Sequence, residues 1–448
     1  MALRRTPGGL EYHLIAYDKR GHELPDLEGT VASDRAVEEL SSPGRDITDV
    51  FLLSHGWQGD YVDAIAQYDA WLDGPGPDRR DDAVRPFVIG VHWPSKAWSD
   101  RELRSAPSGL LEEMPAEAES TVSVEEAVED LIAELGDGPE VRDALETVLA
   151  YAAEIDPETQ AEGTEQLPPD VVDAYRTLAG AVGADADDPL LSGGWDPDAV
   201  FAEATSAQAE DDGGLLGVGD WLRGLRDAVL TPLRQLTFWH SKNHAREFGE
   251  GAVADLLRRV MGGTDARVHL IGHSFGTIVM AGAVRGPGEF PDPPPRPVDS
   301  LFLMQGAVSL WAFADRAPGQ FGGGIGYFAD IVAPEFVRGP IVATRSRWDY
   351  AVGRFYPLAV GIVGQYLLGE ELPKFGGIGA WGIQGVAGAV ELPALQPGDT
   401  ADPGLADGVV HNVDASAVIS RLAGAAGAHN DVAHAELRRL AWHAALAR

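Results

Sequence analysis

The chain has 448 residues, with 34 basic and 70 acidic side chains, no cysteine and a formal net charge of −36. That charge argues against nucleic acid as a partner, because binding a phosphate backbone depends on Lys and Arg displacing counterions, and it disfavours an anionic membrane surface. The absence of cysteine excludes disulfides, thiol nucleophiles and Cys-ligated zinc.

Taken in chain order, the first residues carry two arginines but no apolar stretch that reads as a secretory signal. No window reaches about 18 uninterrupted apolar residues. A cytoplasmic protein without stable membrane insertion is the expectation. Short runs rich in β-branched and aromatic residues predict strands at 11–21, 49–57 and 85–95, and again at 266–274, 299–307, 339–349 and 408–416. Several are apolar at consecutive positions, as strands buried on both faces of a parallel sheet are. Helical segments fall between them at 36–40, 61–72, 244–261, 277–284 and in the last fifteen residues. This alternation predicts a doubly wound, mostly parallel α/β sheet, whose ligands bind beyond the carboxyl ends of the strands.

The acidity is local. Residues 111–220 hold 30 Asp and Glu against Arg142 and Arg176, a net of −28. Within this stretch the spacing predicts helices at 122–135, 139–155, 169–182 and 197–209, with Pro139 at a first helical position, Pro168-Pro169-Asp170 opening the third and Asp196 as a cap of the fourth. The expected organisation is a core of residues 1–100 and 235–448, interrupted by an acidic helical cap subdomain at 101–234. The charge reads either as a solvated face or as a lid whose negative field repels anionic substrates. Two Gly-rich apolar stretches, 319–328 and 375–388, read as close-packed loops or as an apolar wall around a cleft.

The most informative residues are Gly272-His273-Ser274-Phe275-Gly276. A strand, Val268-His269-Leu270-Ile271, runs into this G-x-S-x-G pentapeptide, and small and apolar residues from Thr277 onward open a helix. A serine at so sharp a turn needs small neighbours, and glycines two residues before and after it let strand and helix approach while the hydroxyl projects outward. The helix start adds partial positive charge and N–H groups for a developing oxyanion. Ser274 is the candidate nucleophile.

With these features the chain resembles the serine esterase and lipase-like members of the α/β-hydrolase superfamily. The resemblance covers about 1–100, 235–310, 338–352 and 408–448, and rests on the turn at Ser274, the strand order and the His55-Gly56 pair after an early strand. It implies an oxyanion hole with one donor from the N–H of Phe275 and the other from the loop after the third strand, Trp57 with Gly56 as the alternative. It also implies the chain order Ser, then acid, then His. Among the late histidines, His411 lies inside a strand and His434 and His443 in the last helix, whereas His429 sits in a loop before that helix, followed closely by Asp431. His429 is therefore the expected base, with His434 behind it. The acid is expected after the strand at 339–349, at Asp349, with Asp315 as runner-up; its role is to hold the imidazole in the productive tautomer.

The expected activity is hydrolysis of a small, neutral, apolar carboxylic ester through a Ser-His-Asp triad and an acyl-enzyme, with no cofactor and no metal. An acyltransferase, thioesterase or peptidase on the same triad, or a silent hydrolase-fold scaffold binding a basic partner through the acidic segment, are the alternatives. His92-Trp93-Pro94 and Trp98 read as packing or as residues at a cleft mouth. His240 and His244, four apart, lack a third ligand motif for zinc.

Overall fold

The computed structural model describes residues 3–25, 29–44, 46–56, 61–74, 84–95, 128, 131–132, 135, 138–154, 166–182, 196–211, 218–319, 323–355, 372–373, 376–423 and 426–447. The chain divides into two units, one comprising Met1–Lys96, His244–Gly353 and Gly376–Arg448, the other Ala97–Asn243 and Arg354–Phe375. Residues 97–100, 235–243 and 354–375, read from sequence as core, thus fall in the second unit.

The first unit is built on a nine-stranded sheet: β1 (Leu3–Arg5), β2 (Glu11–Ala16), β3 (Asp49–Ser54), β4 (Pro86–His92), β5 (Arg267–His273), β6 (Ser300–Met304), β7 (Ile341–Arg345), β8 (Val390–Leu392) and β9 (Val410–Asp414). The spatial order is β1-β2-β4-β3-β5-β6-β7-β9-β8. Only β1 runs antiparallel to its neighbour; every other pairing is parallel. All seven strands expected from the sequence are present. The two that were not expected, β1 and β8, are three-residue edge strands.

The strands are buried on both faces, and alternation along them assigns the faces. Phe51 and Leu53 of β3, Phe302 and Met304 of β6, and Tyr12 and Leu14 of β2 share a core with Tyr68 and Trp71 of α2 (Tyr61–Leu72). Leu437 and Leu440 of the C-terminal helix (Ala435–Leu446) join the same core. Ile271 of β5 packs against this side, whereas a Cβ on the next residue, Gly272, would point at the backbone of the helix Gly276–Arg285. Neighbouring residues of one strand thus serve different layers, as in a sheet covered on both sides. α1 (Ala32–Ser41) packs on β2 and on the helix Ala254–Gly263.

The connection from β3 returns to one side of the sheet, to β4, and β5 then pairs with the free side of β3. The winding direction reverses between β3 and β5, and in such sheets the crevice beyond the carboxyl ends at the reversal is where ligands bind. Ser54 pairs with Gly272 in register, so the residues that follow, His55-Gly56 and His273-Ser274, emerge side by side at that crevice.

The second unit is helical, with α3 (Pro139–Glu154), α4 (Pro169–Ala181), α5 (Pro197–Asp211) and most of α6 (Val218–Phe248). Its own core contains Leu145, Val148, Val171, Tyr175, Leu178, Phe201, Leu233 and Leu236. Pro169 opens α4 at its first turn, where its missing N–H costs nothing. The Asp196 carboxylate accepts the N–H of Asp198 at 3.1 Å, the cap expected from the sequence. Within 122–135 only Val128, Leu131, Ile132 and Leu135 are described, all helical and buried. No helix among the described residues is long and apolar enough to cross a membrane.

Candidate active site

The turn after β5 places Ser274 at φ 54°, in the left-handed region that a residue with a Cβ avoids. Its neighbours explain how the turn is tolerated. A Cβ on Gly272 would lie 2.3 Å from the carbonyl oxygen of Gly276, and one on Gly276 would lie 2.4 Å from the carbonyl oxygen of Ser54. Both glycines are therefore required by close approach, the first of strand to helix and the second of helix to the β3 loop. The Ser274 N–H donates to Met304 O at 3.1 Å, and Ser274 O accepts from Ala307 N–H at 3.2 Å, which fastens the turn to the end of β6.

His429 and Asp349 come from loops following β9 and β7, and the two loops are joined. Ala428 N–H donates to Trp348 O at 2.7 Å, and Asp349 forms an antiparallel bridge with Gly427. Gly427, at φ 64°, turns the chain so tightly that a Cβ there would meet Trp348 O at 2.3 Å. The three residues proposed from sequence are thereby brought together. Ser274 Oγ–H donates to His429 Nε2 at 2.8 Å, and His429 Nδ1–H donates to Asp349 Oδ2 at 2.8 Å. Asp349 is sealed at 1% exposure, while Ser274 and His429 keep 6% and 8%. All three side chains are thus buried, Asp349 most deeply.

The alternatives lie elsewhere. Asp315 accepts the N–H of Ala387 at 3.2 Å. His434 pairs with Asp431, whose carboxylate also accepts N–H groups of Ser420 and Arg421 and so shapes the loop before His429. Burial acts to raise the Asp431 pKa, but these N–H donors and His434 outweigh it and hold the carboxyl below its usual range. His411 accepts the Ala406 N–H within its own strand region.

Of the expected oxyanion donors, Phe275 is buried and caps the helix Gly276–Arg285, with its N–H in the first turn. Trp57 lies outside the described residues, as does Trp98. Gly56, the alternative expected donor, is described: a Cβ on it would lie 2.7 Å from Ser274 Cβ, so the β3 loop packs directly on Ser274. The His55 Nδ1–H donates to Gly56 O at 2.8 Å, which holds that loop. Burial, reinforced by the neighbouring His92, pushes the His55 pKa down to about 3, so the ring is neutral. Trp93 is fully buried and stacked on His55 and Phe248, a packing residue. His244 Nε2–H donates to Lys19 O, and among the described residues no group of three or more His, Asp or Glu side chains could hold a metal ion.

Two contributors escaped the sequence reading. His273 bonds to the backbone of His429 and to Gln67 of α2. Gln305, just after β6, donates from Nε2 to Asp349 Oδ2 at 2.8 Å. The signal for Gln305 was a polar residue ending an otherwise apolar strand.

Comparison of the chain with protein-family models, curated proteins and solved structures finds no match.

Proposed function

We propose that the chain is a serine hydrolase of the α/β-hydrolase class that cleaves carboxylic esters through an acyl-enzyme. The observation that carries this reading is the unbroken relay from Ser274 Oγ through His429 to Asp349, with 2.8 Å at each step. A relay of this kind, at the carboxyl end of strands beside a winding reversal, is the arrangement that nucleophilic acyl transfer requires.

In the first half-reaction His429 Nε2 takes the proton of Ser274 Oγ as the oxygen bonds to the ester carbonyl carbon. Negative charge moves to the carbonyl oxygen, facing the N–H of Phe275 and a second donor in the β3 loop, Trp57 or Gly56. Asp349 offsets the imidazolium charge. Collapse of the tetrahedral intermediate breaks the bond to the alkoxide, which leaves with the proton from His429. In the second half water gives a proton to His429 and adds to the acyl carbon; collapse frees the acid and returns the proton to Ser274 Oγ. The steps draw on side chains and backbone alone.

The substrate class that fits is a neutral, apolar ester. The net charge of −36 raises the energy of an approaching anion, and its concentration in 111–220 makes the acidic insertion between β4 and β5, which by its place in the chain corresponds to the cap of this class, the main source of that field. Hydrolysis of p-nitrophenyl acyl esters tests the reading: Ser274→Ala should lose more than about 10³-fold in kcat/KM, and wild-type activity in that variant would refute it.

A further inference from the structure

We propose that Gln305 is a positioning residue of the relay: its side-chain amide holds Asp349 in the orientation His429 needs, and its chain neighbours Met304 and Ala307 fasten it beside the turn bearing Ser274. The assignment rests on the hydrolase reading above.

His273 pairs with Met304 in register, so the residues that follow, Ser274 and Gln305, leave adjacent strands side by side. The two bonds that fasten the Ser274 turn, to Met304 O and from Ala307 N–H, bracket Gln305. Among the described residues Ser274 and Gln305, at φ 54° and 43°, are the two non-glycine residues with positive φ. Glycine would adopt this backbone without strain. A glutamine held there signals that its side chain has a use.

The contacts show that use. Gln305 is fully buried. Its Oε1 accepts the hydroxyl of Thr344 at 3.1 Å, and the oxygen of that hydroxyl in turn accepts the Gln305 N–H at 3.1 Å. With the oxygen end fixed, Nε2 donates to Asp349 Oδ2 at 2.8 Å and to Gly379 O at 3.0 Å. Both of those partners are acceptors only, so the reverse orientation of the amide would set oxygen against oxygen.

A carboxylate this deeply buried needs donors to replace its lost water. Among the described residues Asp349 has three: His429 Nδ1–H and Gln305 Nε2–H on Oδ2, and Val352 N–H on Oδ1 at 3.0 Å. His429 must move its charge during the reaction, which leaves Gln305 as the fixed side-chain donor. An amide suits the task because it carries no charge. A lysine or arginine in its place would neutralise the carboxylate that is needed to offset the imidazolium.

Two variants of the full chain, Gln305→Leu and Gln305→Glu, test this against wild type through steady-state hydrolysis of a neutral p-nitrophenyl ester over pH, with thermal unfolding and fluorophosphonate labelling of Ser274 alongside. Loss of the donor in Gln305→Leu should lower kcat about 10²-fold, the scale of a misplaced catalytic group, with KM unchanged. In Gln305→Glu the introduced carboxyl can donate to Asp349 only while protonated. Its kcat/KM should therefore gain a descending alkaline limb where wild type stays level. A folded Gln305→Leu with wild-type kcat, or a Gln305→Glu profile of wild-type shape, overturns the assignment; if Gln305→Leu does not fold, the Gln305→Glu profile decides. Absence of both labelling and hydrolysis in wild type overturns the hydrolase reading and this assignment together. Labelled wild type with unaffected variants overturns the assignment alone.

Discussion

His273 Nε2–H donates to the backbone carbonyl of His429 at 3.1 Å, so the residue before Ser274 grips the loop that carries His429. Its Nδ1 accepts from the Gln67 side-chain amide at 3.2 Å, which fixes the neutral tautomer with the proton on Nε2. Burial, with the adjacent imidazole of His429, pushes the His273 pKa from 6.5 down to about 3.

The sign of the resulting pH dependence follows. Native His273 and His55 remain neutral down to about pH 3, whereas the unfolded chain takes up their protons near the ordinary value of about 6.5. Between those values the unfolded state binds more protons, so stability falls as pH drops through this window and is level above it with respect to these groups. Urea unfolding from pH 7 to 4 should show that loss, and His273→Gln should reduce the slope by one proton. An unchanged slope would mean that His273 is already protonated in the native state.

The glycines around Ser274 make a second expectation. Gly276→Ala would drive a Cβ to 2.4 Å from Ser54 O and 2.5 Å from His55 O, both backbone atoms that cannot swing aside. Overpacking of this kind costs about 1–3 kcal/mol, and the strain falls on the loop that meets the nucleophile. A lowered urea midpoint with a larger proportional loss of esterase activity is expected; full activity at unchanged midpoint would contradict it.

Choices among like residues can be tested in pairs. Asp349→Asn keeps the shape of the acid but not its charge, and by the known behaviour of such triads should cost about 10⁴-fold in kcat. Asp315→Asn should leave kcat within about twofold, since among the described residues the Asp315 carboxylate bonds a loop amide alone. His429→Ala should abolish turnover, whereas His434→Ala should mainly lower stability through loss of its partner Asp431. Turnover measured on these four variants checks the assignment at once.

Much of this arrangement was legible in the sequence, for identifiable reasons. The parallel strands are consecutive apolar runs that end in small residues, so β3, β5 and β7 could be read directly, and the residues beyond their ends were natural candidates. The long helix α6 was not read over 218–243, because Pro232 lies inside it; interior proline disfavours helix by about 3 kcal/mol, and tertiary packing of Leu233 and Leu236 overrides that preference. The edge strands β1 and β8 are too short to carry a pattern. The pairings of Gln305 and Gln67 were illegible for another reason: their partners lie 44 and 206 residues away, and no local spacing records such a pairing.

The charge gives a further measurable consequence. If the field of the acidic side chains hinders anionic substrates, screening it should help them selectively. Raising salt from about 0.02 to 0.5 M, which shortens the screening length severalfold, should increase kcat/KM for a carboxylate-bearing p-nitrophenyl ester and leave that of a neutral ester of equal length nearly unchanged. Equal responses would assign the charge to solubility alone.

The central claim is that Ser274 is a nucleophile activated by His429 and Asp349, and active-site labelling tests it most directly. Wild-type protein treated with a fluorophosphonate probe and mapped by peptide mass spectrometry should carry one adduct, on Ser274. Ser274→Ala should carry none, and His429→Ala should label at least about 10³-fold more slowly. No adduct in folded wild-type protein, or an adduct on another residue that persists in Ser274→Ala, would contradict the account.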